Sequence, residues 1–197
     1  MSLIKYATRE IACKIVYYGP GMSGKTTNLQ NLFSRIPKKR KGEMISLATK
    51  QDRTLFFDFL PIALGDIYGF TTKFQVYTVP GQVYYNATRK LVLQGADGVV
   101  FVADSQRWRR EDNILSMMNL DENLKANGFD IRTIPLVIQY NKRDLLDIME
   151  MKELRYDLNY LGVPDVPSSA IKGEGTVETF KIVGRKVISN LRRKFNR

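Results

Sequence analysis

The 197-residue chain has no histidine, which excludes histidine general bases, Ser–His and Cys–His nucleophile pairs and histidine-ligated metals. Its one cysteine, Cys13, excludes an internal disulfide and suits a reducing compartment. Set in the apolar run CKIVYY, it reads as a buried, inert thiol. Apolar runs are short, about the length of VVFVA, against the ~20 residues a membrane span needs. The N-terminal MSLIKYATRE has no apolar signal core, and Ser2 breaks the Met-Gly acylation pattern. A cytoplasmic protein is therefore expected. Repeats and low-complexity tracts are missing as well. Acidic residues are absent from 181–197, which hold seven of the 31 Lys and Arg residues. That stretch leaves 24 − 20 = +4 of the net +11 for residues 1–180. Such a tail suits an anionic membrane, an acidic partner or nucleic acid, although no nucleic-acid motif accompanies it.

What is present is an alternation of β-rich and helical stretches. Strands are expected at CKIVYY, TLFFDFL, TKFQVYTV, GVVFVAD, PLVIQYN and the short VPSSA. Helices are expected at Lys25–Arg35, Tyr84–Gln94, Arg110–Asn127 and Met151–Leu161, and from Val177 onward. Near-continuous apolar strands between helices predict a three-layer α/β fold, with a mostly parallel sheet covered on both faces. Ligands in such sheets sit at the carboxyl ends of strands. No linker divides residues 1–197, so one domain is expected, and the basic, weakly periodic 35–53 reads as a long connection. In the last helix Val177, Phe180, Val183, Val187, Leu191 and Phe195 recur at three- and four-residue steps. That stripe suits packing against the sheet, and any contact of the basic residues with anionic lipid would be peripheral and weak. Arg107–Arg110, RWRR, reads as a solvated loop or as a docking point for a partner.

Three segments carry chemistry, each at the end of an expected strand. Gly19-Pro20-Gly21-Met22-Ser23-Gly24-Lys25-Thr26 fits G-x-x-x-x-G-K-[ST] between a strand and a helix, the setting of a phosphate-binding loop. Its N–H groups and the helix N-terminus favour phosphate. Lys25 would reach the β- and γ-phosphates and Thr26 would offer its hydroxyl to Mg²⁺, with Thr27 completing the nucleotide set. Asn141-Lys142-Arg143-Asp144 follows another strand. The Asp144 carboxylate can accept from guanine N1–H and the exocyclic amine, whereas adenine presents an acceptor there. Lys142 would lie along the base and Asn141 would tie its loop to the phosphate loop. Beyond it, Ser169, Ala170 and Ile171 can offer N–H groups to the guanine carbonyl.

With these motifs in place, the chain resembles Ras-like small GTPases, and more closely the bacterial gliding-motility and cell-polarity GTPases of the MglA type. KIVYYGPG.SGKTTNL, RTLFFDFLP, YTVPGQV.Y.A.RKL, DGVVFVADSQ and VIQYNKRDL carry the likeness over most of 9–145. The resemblance implies a GDP/GTP switch concentrated at a cell pole, a roadblock-type activating partner and polarity or motility effectors. It implies that Thr54 closes on Mg²⁺ and the γ-phosphate, that Gly81 senses that phosphate and that Gln82 orients the attacking water. It also implies that Arg53 is an arginine finger, the alternative being a solvated loop cation. Thr78 stands where the usual D-x-x-G motif carries an aspartate directed at the metal, and Asp58 or Asp52 would have to compensate. The resemblance further implies that the strand LFFDFLPI slides between nucleotide states. Its apolar faces fix register weakly, and a static strand buried on both sides is the alternative. Two alternatives stand beside it: a catalytically weak nucleotide-binding scaffold, suggested by Thr78, and a basic adaptor for nucleic acid or membrane.

Overall fold

A computed structural model describes residues 3–47, 57–67, 69–82 and 85–195. Its eight-stranded sheet has the order β3-β4-β5-β2-β6-β7-β8, with β1 added beside β2. The strands are β1 (Leu3–Lys5), β2 (Glu10–Tyr18), β3 (Ile45–Leu47), β4 (Phe57–Ile67), β5 (Phe70–Thr78), β6 (Gly98–Asp104), β7 (Leu136–Asn141) and β8 (Asp165–Pro167). From β5 across to β8 all pairings are parallel; β1, β3 and β4 pair antiparallel with their neighbours. The helices are α1 (Lys25–Arg35), α2 (Asn86–Leu93), α3 (Arg110–Ala126), α4 (Met151–Leu158) and α5 (Thr176–Phe195).

The period-two alternation of strand side chains divides the core in two. Val16, Tyr18, Val99, Phe101, Leu136 and Ile138 face α2, α3 and α4. Ile11, Cys13, Ile15, Tyr17, Val100 and Val102 face α1 and α5. Phe180, Val183, Val187 and Leu191 of α5 are buried there, so the apolar stripe is a packing surface. Two glycines set that helix close: a Cβ on Gly98 would collide with Val187, and one on Gly184 would press on the Phe74 ring.

Several expectations need correction. Residues 35–53 are not a plain connection: a 3₁₀ turn at Lys38–Arg40 leads into β3, while 48–53 lie outside the described residues. A three-residue edge strand is too short to show alternation. β1 was missed for the same reason. β4 runs on through Pro61 to Ile67, although a proline argues against a strand interior. There Pro61 pairs with Gln75, and its carbonyl accepts from the N–H of Gly42. The register of β4 on β5 places Phe59 opposite Tyr77, with a bulge between Ala63 and Gly65. RWRR is a 3₁₀ turn rather than a loop, and Arg107, Trp108 and Arg110 are solvent-exposed there as expected. Arg110 makes a two-armed pair with Asp157, Arg107 pairs with Glu153, and Arg109 turns inward.

Candidate nucleotide-binding site

β2 ends at Tyr18 and the chain turns through Gly19–Gly24 into α1, placing the loop at the carboxyl end of the parallel strands. Gly24 is left-handed at φ 97°, and a Cβ there would strike the Asn141 side chain. A Cβ on Gly81 would strike the backbone of Gly21, so glycine alone lets the segment after β5 lie against the loop. Lys25 is buried, its Nζ donating to the carbonyl oxygens of Gly19 at 3.0 Å and Pro20 at 2.6 Å. Burial, and next the positive charges of Arg89 and Arg109, lower its pKa to about 7 against the pull of Asp58. Phosphate at this loop would restore the charged form.

Below the loop, three oxygens converge. The Thr26 hydroxyl donates to Asp58 Oδ2 at 2.6 Å and the Thr78 hydroxyl to the same oxygen at 3.0 Å, while the Asp58 N–H donates to Thr78 Oγ1 at 2.8 Å. Antiparallel pairing makes this possible, because Phe59 opposite Tyr77 sets Asp58 beside Thr78. Asp52, the other candidate, lies outside the described residues, as do Arg53 and Thr54. Gln82 is described, with its Cγ beside Gly21 at the edge of the loop.

At the other end, the Asn141 amide joins two loops: Nδ2 donates to Ser23 O at 2.7 Å, and Oδ1 accepts from the Ala170 N–H at 2.8 Å. Lys142 has φ 67°, and its Nζ reaches Asp104 Oδ2 at 2.6 Å and Gln106 Oε1 at 3.1 Å. Arg143 donates its N–H to Ser168 O and Nη1 to Met149 O, holding half-buried Asp144 on a fixed turn. The expectation for Ser169–Ile171 narrows. The Ser169 N–H is donated to Glu174 O and the Ala170 N–H to Asn141, so a base carbonyl must share the latter or use Ile171. Phosphate loop, acidic turn and Ser169–Ile171 thus occupy one edge of the sheet. Met22 (φ 61°) is exposed at its rim, Ser23 is buried beneath it, and Thr27 is half-buried on the first turn of α1.

The profile of the ADP-ribosylation factor family matches residues 1–187. The chain belongs to that family. It is 54% identical, over 98% of its length and 99% of the relative's, to the mutual gliding-motility protein MglA of Myxococcus xanthus (strain DK1622). It is 27% identical to ADP-ribosylation factor K of Dictyostelium discoideum, over 80% of this chain and 91% of that one. This ADP-ribosylation factor family member is a GTP-binding switch that hydrolyses GTP. Among the described residues no helix is long and apolar enough to cross a membrane, and no cluster of three or more acidic or cysteine ligands forms a metal cage.

Sequence reasoning missed two residues at the site. Asp104 is fully buried and orients Lys142; its place at the end of an apolar strand was a visible signal. Arg109 donates Nη2 to the Gly21 carbonyl at 2.5 Å from 88 positions along the chain, and nothing local marks it.

Proposed function

We propose that this family member is a polarity or motility switch whose metal-directed carboxylate sits on β4 instead of β5. The observation that carries the proposal is Asp58, bonded through one oxygen to both Thr26 and Thr78. A carboxylate with two hydroxyls is a hard-oxygen set of the kind Mg²⁺ takes, with waters completing its shell. Thr26 and Asp58 would hold the ion, joined by Thr54; when bound, Mg²⁺ neutralises charge on the β- and γ-phosphate oxygens. The same hydrogen bonds support Asp58 as the group that stands in for the missing aspartate.

Lys25 and the N–H groups from Gly21 to Lys25 bind the phosphates, and Asp144 with Lys142 and Asn141 selects guanine. Gln82 orients the water that attacks the γ-phosphorus. The bond from that phosphorus to the β–γ bridging oxygen breaks, giving GDP and phosphate. Arg53 supplies charge to the transferring phosphoryl group, an effect on the order of 10³–10⁵ in rate for such arginines. The relation to the mutual gliding-motility protein supports a role in motility, and the motif resemblance adds recruitment of effectors at a cell pole and a roadblock-type partner that accelerates hydrolysis.

The test compares three variants by calorimetry and single-turnover hydrolysis. Asp58→Ala is expected to weaken the Mg²⁺ dependence of GTP binding by about tenfold or more, with Asp52→Ala near wild type. Asp144→Asn is expected to move preference toward xanthosine nucleotides. An unchanged magnesium dependence in Asp58→Ala would remove that carboxylate from the metal site without touching the base assignment.

A further inference from the structure

A cavity of about 580 Å³ opens beside the nucleotide edge, between the phosphate loop, the start of α2 and the outer face of α3. Arg89 of α2 lines it and is 2% exposed. Its Nη2 donates to Ser116 Oγ at 2.8 Å and its guanidinium stacks 4.4 Å over the Tyr18 ring, yet its Nε–H has no acceptor. Among the described residues no carboxylate pairs with it. Arg109, also on the wall, is engaged by Asp112 and the Gly21 carbonyl. Burial disfavours the charged form of Arg89. A guanidinium removed from water without a counter-charge is costly, and an incoming carboxylate would offset that cost.

The mouth has the opposite character. Met22 is 88% exposed, and Leu115 and Met118 are each 58% exposed, all three lining the same cavity. Scattered exposed apolar side chains need no explanation, but three around one opening make a patch suited to a protein surface. A small carboxylate would answer Arg89 and leave that patch wet. A segment carrying both kinds of group answers both. Two carboxylates line the cavity, Asp112, which is paired with Arg109, and Glu122, which fixes polarity because an acid placed beside it would be repelled.

We propose that this cavity docks an amphipathic helix of a partner protein, one that points a carboxylate at Arg89 and lays large apolar side chains, three or four residues away, over Leu115 and Met118. The groove between α2 and α3 offers the helix-in-groove mode of recognition. Gly21, Gly81 and Gln82 form one wall, so the docked helix lies against the segment that responds to nucleotide. Docking itself does not depend on the metal assignment above.

The experiment pans a randomised helical-peptide library against the full GDP-loaded chain, then maps selected peptides by the methionine methyl resonances of the labelled protein. Enriched peptides are expected to share an Asp or Glu three or four positions from Leu, Phe or Trp. They should shift Met22 and Met118 while leaving buried Met149 in place. Changing the selected acid to its amide is expected to weaken binding by about ten- to a hundredfold. Leu115→Glu, at an exposed position the fold tolerates, should abolish it. Failure to enrich any peptide, enrichment without an acid, or binding indifferent to Leu115→Glu would each overturn the proposal.

Discussion

The two faces of the sheet are closed by different means. Under α1 and α5 the contact is mostly hydrocarbon, with Leu29, Leu32, Phe180, Val183 and Val187 meeting the strands and the edge of Phe180 set against Phe74. It includes one small polar set, in which Gln139 Nε2 donates to Asn28 Oδ1 at 2.9 Å and Thr179 Oγ1 at 3.1 Å. Under α2 and α3 the hydrocarbon is interrupted. The Tyr18 hydroxyl donates to Asn119 Oδ1 at 2.6 Å, and Asn123 Nδ2 reaches Tyr18 Oη at 3.0 Å and Asn86 Oδ1 at 2.8 Å. Buried Arg89 and the cavity lie on this side too. Hydrophobic contact is non-directional and tolerant; a hydrogen-bonded seam is satisfied in few geometries and fails discretely when displaced. The first face is therefore suited to hold the fold. The second is suited to register what happens at the loops after β2 and β5.

The contrast can be broken in order of expected effect. Phe180→Ala should cost about 3–5 kcal/mol of global stability, read as a fall in the urea midpoint of the nucleotide-bound chain. Asn123→Ala should cost about 1–3 kcal/mol by leaving buried partners unsatisfied. Its hydrogen-exchange signature should concentrate on α2 and α3, whereas a global loss equal to that of Phe180→Ala would erase the distinction. A cysteine pair at Phe59 and Tyr77, whose rings lie 4.9 Å apart, would lock β4 in its present register. If β4 slides, the oxidised pair should bind GDP normally and a non-hydrolysable GTP analogue at least about tenfold more weakly. Equal affinities would make β4 a static strand.

The smallest effect, counted per pH unit, is that of Lys25. Its pKa of about 7 in the folded chain lies below the ordinary 10.5, so between those values the unfolded chain holds one more proton. Stability without nucleotide should thus rise with pH across that window, by at most about 1.4 kcal/mol per unit. Binding of GDP returns the proton, so its affinity should fall above about pH 7 by up to tenfold per unit. Calorimetry in buffers of different ionisation enthalpy reads the proton directly; no uptake would show that Lys25 is already charged before phosphate arrives.

Legibility followed the locality of the cause. The phosphate loop was readable because a strand, three glycines, a lysine and a threonine must be contiguous to make that turn. The parallel strands were readable because burial on both faces writes an unbroken apolar run, as in GVVFVAD. The inner face of α3 was harder: it buries Asn113, Ser116 and Asn123, so a polar residue there did not mean an outward one. Residues 35–53 hid β3, and Pro61 masked the length of β4. The meeting of Asp58 with Thr26 and Thr78 was undecidable along the chain, since it follows from the pairing of β4 with β5.

Sequence by itself determined a glycine-rich turn between strand and helix, an acidic turn after an apolar strand and a sheet buried on both sides, because each is set by residues close together in the chain. Tertiary structure decided which aspartate meets Thr26, which arginine steadies Gly21 and where an unpaired cation sits under an apolar rim. Those are contacts between distant segments, fixed by strand register and helix packing, and no local spacing encodes them.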